Sequence, residues 1–157
     1  MNGIEFVLNG KAVTYEGSAA DRLLDVLRNT FGATSVKCGC KEGECGACAV
    51  LMDGVLVNSC CVAMGAVVGA NIVTMEGFRE TERFAVLDKA FAEVSAVQCG
   101  FCIPGMVLAA EALLSKHPDP TEEDIREGLS GNLCRCTGYN AIITAVKNAA
   151  KEGKGLW

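Results

Sequence analysis

The first half of the chain places its hydrophobic residues in short β-prone runs around one helical stretch; the second half turns to helical spacing throughout. Ile4 to Leu8 and Lys11 to Tyr15 are such runs, and Asn9-Gly10 between them is a strong hairpin signal. Arg22 to Phe31 changes period and puts Leu23, Leu24, Leu27 and Phe31 on one helical face. Asp21 is the expected N-cap there, and Gly32 the expected stop. Ala49 to Met52 and Val55 to Val57 flank Asp53-Gly54, a second hairpin, and Asn71 to Met75 reads as a last strand. The pattern predicts a mixed sheet gripping one helix.

The second half spaces Phe84, Leu87, Phe91 and Val94 as a helix does. Another helix is expected from Pro104 to Lys116, since proline is tolerated in a first turn. Pro118 and Pro120 stop it, and Thr121 to Asp124 resembles a capping box that starts a third helix toward Leu129. A fourth begins near Tyr139 and carries Ile142, Ile143 and Val146. Four helices with short connections predict an all-α bundle. The expected division is residues 1–76 and 84–157, joined by a polar linker at 77–83.

Composition narrows the class. With 157 residues, half of them hydrophobic, the chain can bury one core or two small ones. The net charge of −5 gives no basic footprint, so no nucleic acid is expected. No apolar run is long enough for membrane insertion. The opening MNGIEFVLNG lacks the pattern of a signal peptide. Ten cysteines without such a signal point to a reducing compartment, the cytoplasm, and to metal ligation in place of disulfides.

The cysteines then carry the argument. Cys40, Cys45 and Cys48 form Cys-x4-Cys-x2-Cys inside GCKEGECGAC, with Cys60 following, which is the spacing of a plant-type [2Fe–2S] site. Gly39, Gly43 and Gly46 are expected to let that loop curl with positive φ angles and bring its backbone close to an anionic cluster. Cys99 and Cys102 in QCGFC and Cys134 and Cys136 in NLCRC make a second quartet. Each of these pairs precedes a predicted helix, whose N-terminal dipole is worth roughly 0.3–1 kcal/mol beside a negative group.

Other readings stand beside this one. Two cysteine pairs also build zinc sites, so the second quartet by itself leaves zinc open. Cys38 and Cys61 are expected to be small buried thiols, although each adjoins a proposed ligand and could exchange with it. His117 is the single histidine and is expected at a helix end facing solvent; a Rieske centre would need two. Glu122, Glu123 and Asp124 read as a solvated first turn. Ile103, Pro104 and Met106 are a candidate docking face. No nucleophile with a base is found, so no catalytic residue is expected on this chain.

GCKEGECGACAVLMDGVLVNSC, then AVQCGFCIPGM, then GNLCRCTGY resemble the small iron–sulfur subunit of the molybdenum hydroxylases, the xanthine dehydrogenase and aldehyde oxidoreductase family. The likeness spans nearly the whole chain. It implies an α+β protein in which an N-terminal β-grasp ferredoxin-like domain precedes a four-helix bundle, each with one [2Fe–2S] cluster. Cys40, Cys45, Cys48 and Cys60 would hold the first, and Cys99, Cys102, Cys134 and Cys136 the second. The resemblance further implies a large subunit with molybdopterin, approached by Gln98 and Cys136, and a medium subunit with FAD. The chain would then relay electrons from molybdopterin to FAD as a subunit of an oxidoreductase. A free-standing two-cluster ferredoxin is the alternative, and a zinc-stabilised interaction module a third. Cys38, Lys41 and Cys61 depart from the family's usual residues at positions that tune a cluster without ligating it.

Overall fold

The computed structural model describes residues 3–157; Met1 and Asn2, the start of the expected first domain, lie outside the described residues. Both hairpins form where turn chemistry places them. β1 (Ile4–Leu8) pairs antiparallel with β2 (Lys11–Tyr15), and β3 (Ala49–Met52) with β4 (Val55–Asn58). Both turns use left-handed residues, Asn9-Gly10 and Asp53-Gly54, as such hairpins require. β5 (Asn71–Val73) lies parallel to β1 and antiparallel to β3, giving the order β2-β1-β5-β3-β4.

The sheet is covered on both faces. Val50 and Ile72 face a core built with Leu23, Leu24 and Leu27 of α1 (Leu23–Asn29). Leu51, Leu56 and Val73 face the opposite way, into the helical core. Ala49, Val50 and Leu51 are therefore all buried, which is why β3 reads as an unbroken apolar run. Packed on that second face is α4 (Ile103–Lys116), with α3 (Glu82–Glu93), α5 (Glu122–Gly128) and α6 (Asn140–Glu152) completing the bundle around Leu87, Met106, Leu108, Ile125, Ile142 and Val146. This is the expected α+β architecture. No described helix is long and apolar enough to cross a membrane.

The boundaries of α1 and of β5 differ from expectation. Asp21 does not cap α1, because its Oδ2 already accepts the Tyr15 hydroxyl at 2.6 Å and the Ser18 N–H at 2.9 Å. Arg22 takes the N-cap position in extended conformation, and the helix ends at Asn29, short of Phe31. β5 ends at Val73 instead of Met75: the Thr74 N–H donates to Asn9 Oδ1 at 2.9 Å, and a short helix, α2 (Met75–Phe78), begins. Residues 77–83 thus hold the end of α2, a turn and the start of α3. The Thr121 capping box forms as expected, with Asp124 as its partner.

One buried charge sits in the helical core. Glu111 is 4 % exposed and meets Arg83 at 2.8 Å, the Trp157 indole N–H at 2.7 Å and the Ser115 hydroxyl at 3.1 Å, which satisfies both carboxylate oxygens.

Glu76 ties α2 to the loop that leads into the first cysteines. Its Oε1 accepts the Ser35 N–H at 2.9 Å, and its Oε2 accepts the hydroxyls of Ser35 and of Thr74, the latter at 2.6 Å. Partial burial opposes the charge, but the hydrogen bonds outweigh it and hold Glu76 below the ordinary carboxylate range. A lowered folded pKa stabilises the fold above the unfolded glutamate value of about 4.3, and that contribution is lost as pH falls through the folded value. Glu76→Gln is expected to cost about 1 kcal/mol at pH 7, modest because the carboxylate is partly exposed. The gap to the unaltered protein closes as the medium becomes more acidic than about pH 4, and urea unfolding at neutral and acidic pH measures both values.

Candidate functional site

The first cysteine loop is fixed at both ends. Arg28 of α1 donates to the Thr34 and Val36 carbonyls at 3.1 and 2.8 Å, and the Lys37 N–H donates to Ala47 O at 3.0 Å. At the tip, Asn58 Nδ2 donates to Gly43 O at 2.8 Å, which pins the loop to β4. Three backbone N–H groups, of Glu42, Glu44 and Cys45, point at Cys40 Sγ, each at 3.4 Å. This nest lowers the Cys40 thiol to about 7, led by the Glu42 N–H and then those of Cys45 and Glu44. Burial pushes the neighbouring Cys48 up to about 11.

The loop glycines serve different ends. Gly43 and Gly46 have φ of +78° and +69°, as anticipated. Gly39 does not have positive φ; a methyl group there would stand 2.6 Å from Cys45 Sγ, so its need is close approach. Lys41 supplies the other left-handed residue in the loop, at φ +62°.

Cys38 and Cys61 are exposed, which corrects the expectation that both are buried. Ser59–Cys61 is a turn of 3-10 helix in which the Cys60 side chain goes inward and that of Cys61 outward. Their sulfurs remain 3.7 Å apart, and a methyl at Gly43 would meet Cys61 Sγ at 2.8 Å.

The second quartet collects residues far apart in sequence. Cys102 sits at the N-cap of α4, while Cys134 and Cys136 lie on the loop before α6. Cys102 is buried and its thiol is pushed up to about 12, first by burial and then by contact with Cys134. Cys134 is lowered to about 7: burial opposes this, and the Thr137 hydroxyl and the backbone N–H groups of Thr137 and Cys136 prevail. Cys136 is raised by its contact with the Cys99 thiol. Gln98, Cys99 and Cys136 are exposed.

Within the two quartets the thiols neighbour one another in twos, Cys40 with Cys45, Cys48 with Cys60, Cys102 with Cys134 and Cys99 with Cys136, and Cys60 also meets the outward-facing Cys61. Among the described residues no three Cys, His, Asp or Glu side chains gather as around a single metal ion. An all-sulfur donor set arranged two and two, with a nest of N–H groups on one side, fits a two-iron, two-sulfide core, in which each iron takes two thiolates.

The two loops touch. Leu133 N–H donates to Cys45 O at 2.9 Å, and the side chain of Asn132, 3 % exposed, donates to Gly46 O at 3.1 Å. A methyl on Gly105 of α4 would stand 2.4 Å from the same Gly46 oxygen. Sequence reasoning missed Asn132 and Leu133, whose roles are contacts across 86 and 88 residues with no local signature; the two residues do lie within the quoted NLCRC motif. It also misjudged Met106, which is fully buried and lines no docking face. The exposed apolar residues around the second quartet are Val97, Phe101 and Leu133. His117 ends α4 in solvent, as expected.

Known proteins resemble this chain along nearly its whole length. Residues 6–66 match a 2Fe-2S iron-sulfur cluster binding domain, and residues 74–147 a [2Fe-2S] binding domain. The chain is 51% identical over 149 residues to the nicotinate dehydrogenase small FeS subunit of Eubacterium barkeri, covering 95% of each. It is 41% identical to the xanthine dehydrogenase iron-sulfur-binding subunit of Escherichia coli O157:H7, over 94% of each. The crystal structure of the aldehyde oxidoreductase from Desulfovibrio desulfuricans ATCC 27774 superposes with a TM-score of 0.92 at 39% identity, covering 99% of this chain and 17% of that one. With two matched cluster domains in the same order and half of its residues shared with a curated small subunit, this chain belongs to the small iron–sulfur subunits of the molybdenum hydroxylase family, as an electron-transfer subunit of an oxidoreductase.

Proposed function

We propose that this chain carries electrons from a molybdopterin on a large partner subunit to FAD on a medium partner subunit, in the cytoplasm. Cys99, Cys102, Cys134 and Cys136 hold one [2Fe–2S] cluster in the helical domain, 84–157. Cys40, Cys45, Cys48 and Cys60 hold the other in the ferredoxin-like domain, 1–76, with 77–83 as the joint. When bound, each cluster takes up and gives up one electron at a time.

The observation that carries this reading is the junction of the two loops. A single hydrogen bond, Leu133 N–H to Cys45 O at 2.9 Å, joins the residue next to Cys134 to a cysteine of the other quartet. The bonds from Cys45 Sγ along the backbone, across that contact and on to Cys134 Sγ form a short continuous bridge. Asn132 and the bare α-carbons of Gly46 and Gly105 keep the bridge closed.

Exposure supports this orientation. Gln98, Cys99 and Cys136 are exposed, and so are Val97, Phe101 and Leu133, which adjoin the quartet in sequence, at 46%, 47% and 56%. Exposed apolar side chains beside a redox centre suit a partner that excludes water there, which supports the large subunit on this side with Gln98 and Cys136 toward its pterin. The residues Gly39, Gly43 and Gly46 shape the backbone around the other cluster, on the side given to the flavin subunit.

Purification of the chain in its native complex, with iron, acid-labile sulfide, molybdenum and flavin assayed together, tests the proposal. Molybdenum and flavin on co-purifying subunits are the expected result. A lone chain that carries iron and sulfide and stays monomeric would replace it with a mobile two-cluster ferredoxin.

A further inference from the structure

We propose that Thr137 sets the reduction potential of the cluster held by Cys99, Cys102, Cys134 and Cys136. The inference rests on the ligand assignment above. Thr137 Oγ1 lies 3.1 Å from Cys134 Sγ, and the Tyr139 N–H lies 3.3 Å from the same oxygen. An N–H can only donate, so it occupies a lone pair of the hydroxyl. A ligating cysteine is a thiolate and can only accept. The Thr137 proton is therefore directed onto the Cys134 sulfur.

The arrangement is closed from the other side. Cys134 N–H donates to the Tyr139 hydroxyl at 2.8 Å. Tyr139 itself is held at φ +70°, a left-handed conformation that a bulky side chain adopts only when its surroundings enforce it. Cys134, Thr137 and Tyr139 thus lock one another, and the hydroxyl direction does not depend on a mobile rotamer.

Reduction adds one electron, from whatever one-electron donor or mediator is in contact, and one negative charge shared by the sulfurs. No bond forms or breaks, and the proton stays on Thr137 Oγ1. A hydrogen bond to sulfur is stronger in the more negative state, so Thr137 favours the reduced form and raises the potential.

The test is a mediated redox titration of the native complex, followed by EPR. Cys134→Ser first identifies which signal belongs to this quartet. Thr137→Val is expected to move the midpoint of that signal downward, with about a tenfold lower reduced-to-oxidised ratio at fixed potential, or about 59 mV for one electron. The other signal stays in place, and Thr137→Ser returns the midpoint toward its original value. The smaller Thr137→Ala, which adds no bulk to the loop, carries the same expectation. An unmoved midpoint in the hydroxyl-free variants, with the Cys134→Ser signal altered, overturns the proposal alone. Two unaltered signals in Cys134→Ser overturn the ligand assignment and this proposal with it.

Discussion

Cys45→Ser is expected to abolish or distort one of the two EPR signals of the reduced protein and to leave the other unchanged. Cys45 lies at the centre of the first loop: its thiol pairs with that of Cys40, its N–H contributes to the nest on Cys40 Sγ, and its carbonyl receives the Leu133 N–H. Serine keeps the backbone contacts and changes only the ligand atom, from a soft thiolate to a hard hydroxyl that iron–sulfur cores accept poorly. Iron content falls by about half if the first cluster is lost outright, since each cluster carries two of the iron atoms. Cys38→Ala and Cys61→Ala are the matched controls. Both side chains are exposed, and Cys61 points outward although its sulfur lies 3.7 Å from that of Cys60, so iron content is expected to be unchanged. A drop in either would move a ligand to that position, and loss of neither signal in Cys45→Ser would remove the first quartet as a cluster site.

Gly46→Ala is expected to destabilise the protein strongly. The residue has φ +69°, and its new methyl would stand 2.4 Å from Gly131 O and 2.6 Å from Asn132 Nδ2. The backbone strain costs about 1–3 kcal/mol, and forcing the loops apart about 1–3 kcal/mol more. Loss of the buried Asn132 hydrogen bond adds about 1 kcal/mol, so about 3–7 kcal/mol in all is expected, against a typical domain stability of about 5–15 kcal/mol. Gly54→Ala separates the two contributions. Gly54 has φ +79° with nothing within 4 Å of the new methyl, so only the conformational cost applies there. Denaturant unfolding of the two variants side by side measures the difference; equal losses would mean that the loops do not need their close approach. Because the same shift breaks the Leu133 to Cys45 bridge, electron exchange between the two centres is expected to slow in Gly46→Ala and not in Gly54→Ala.

What the sequence made legible was local chemistry. Asn9-Gly10 and Asp53-Gly54 set both hairpins because few residue pairs accept their backbone angles. Thr121 and Asp124 announced a helix start with their own hydrogen bonds. The two [2Fe-2S]-binding domains were legible because a metal cluster constrains cysteine spacing and residue type together. Asp21 failed as a cap because Tyr15 and Ser18 compete for its carboxylate, which no helical rule weighs. Cys61 was misjudged because one residue in a 3-10 turn separates inward from outward. Met106 was expected at a docking face, yet α4 is buried nearly all round, between the sheet and the other helices, which its high apolar content alone signals only afterwards. The junction of Asn132 and Leu133 with Cys45 and Gly46 was invisible, since it depends on how two separately folded loops meet.

Iron and acid-labile sulfide counted per chain, together with quantitative EPR of the dithionite-reduced protein, test whether the chain holds two [2Fe–2S] clusters. About four iron and four sulfide per chain, and two distinct signals of about one spin each, are expected. Zinc without labile sulfide, or about two iron with a single signal, would contradict that expectation.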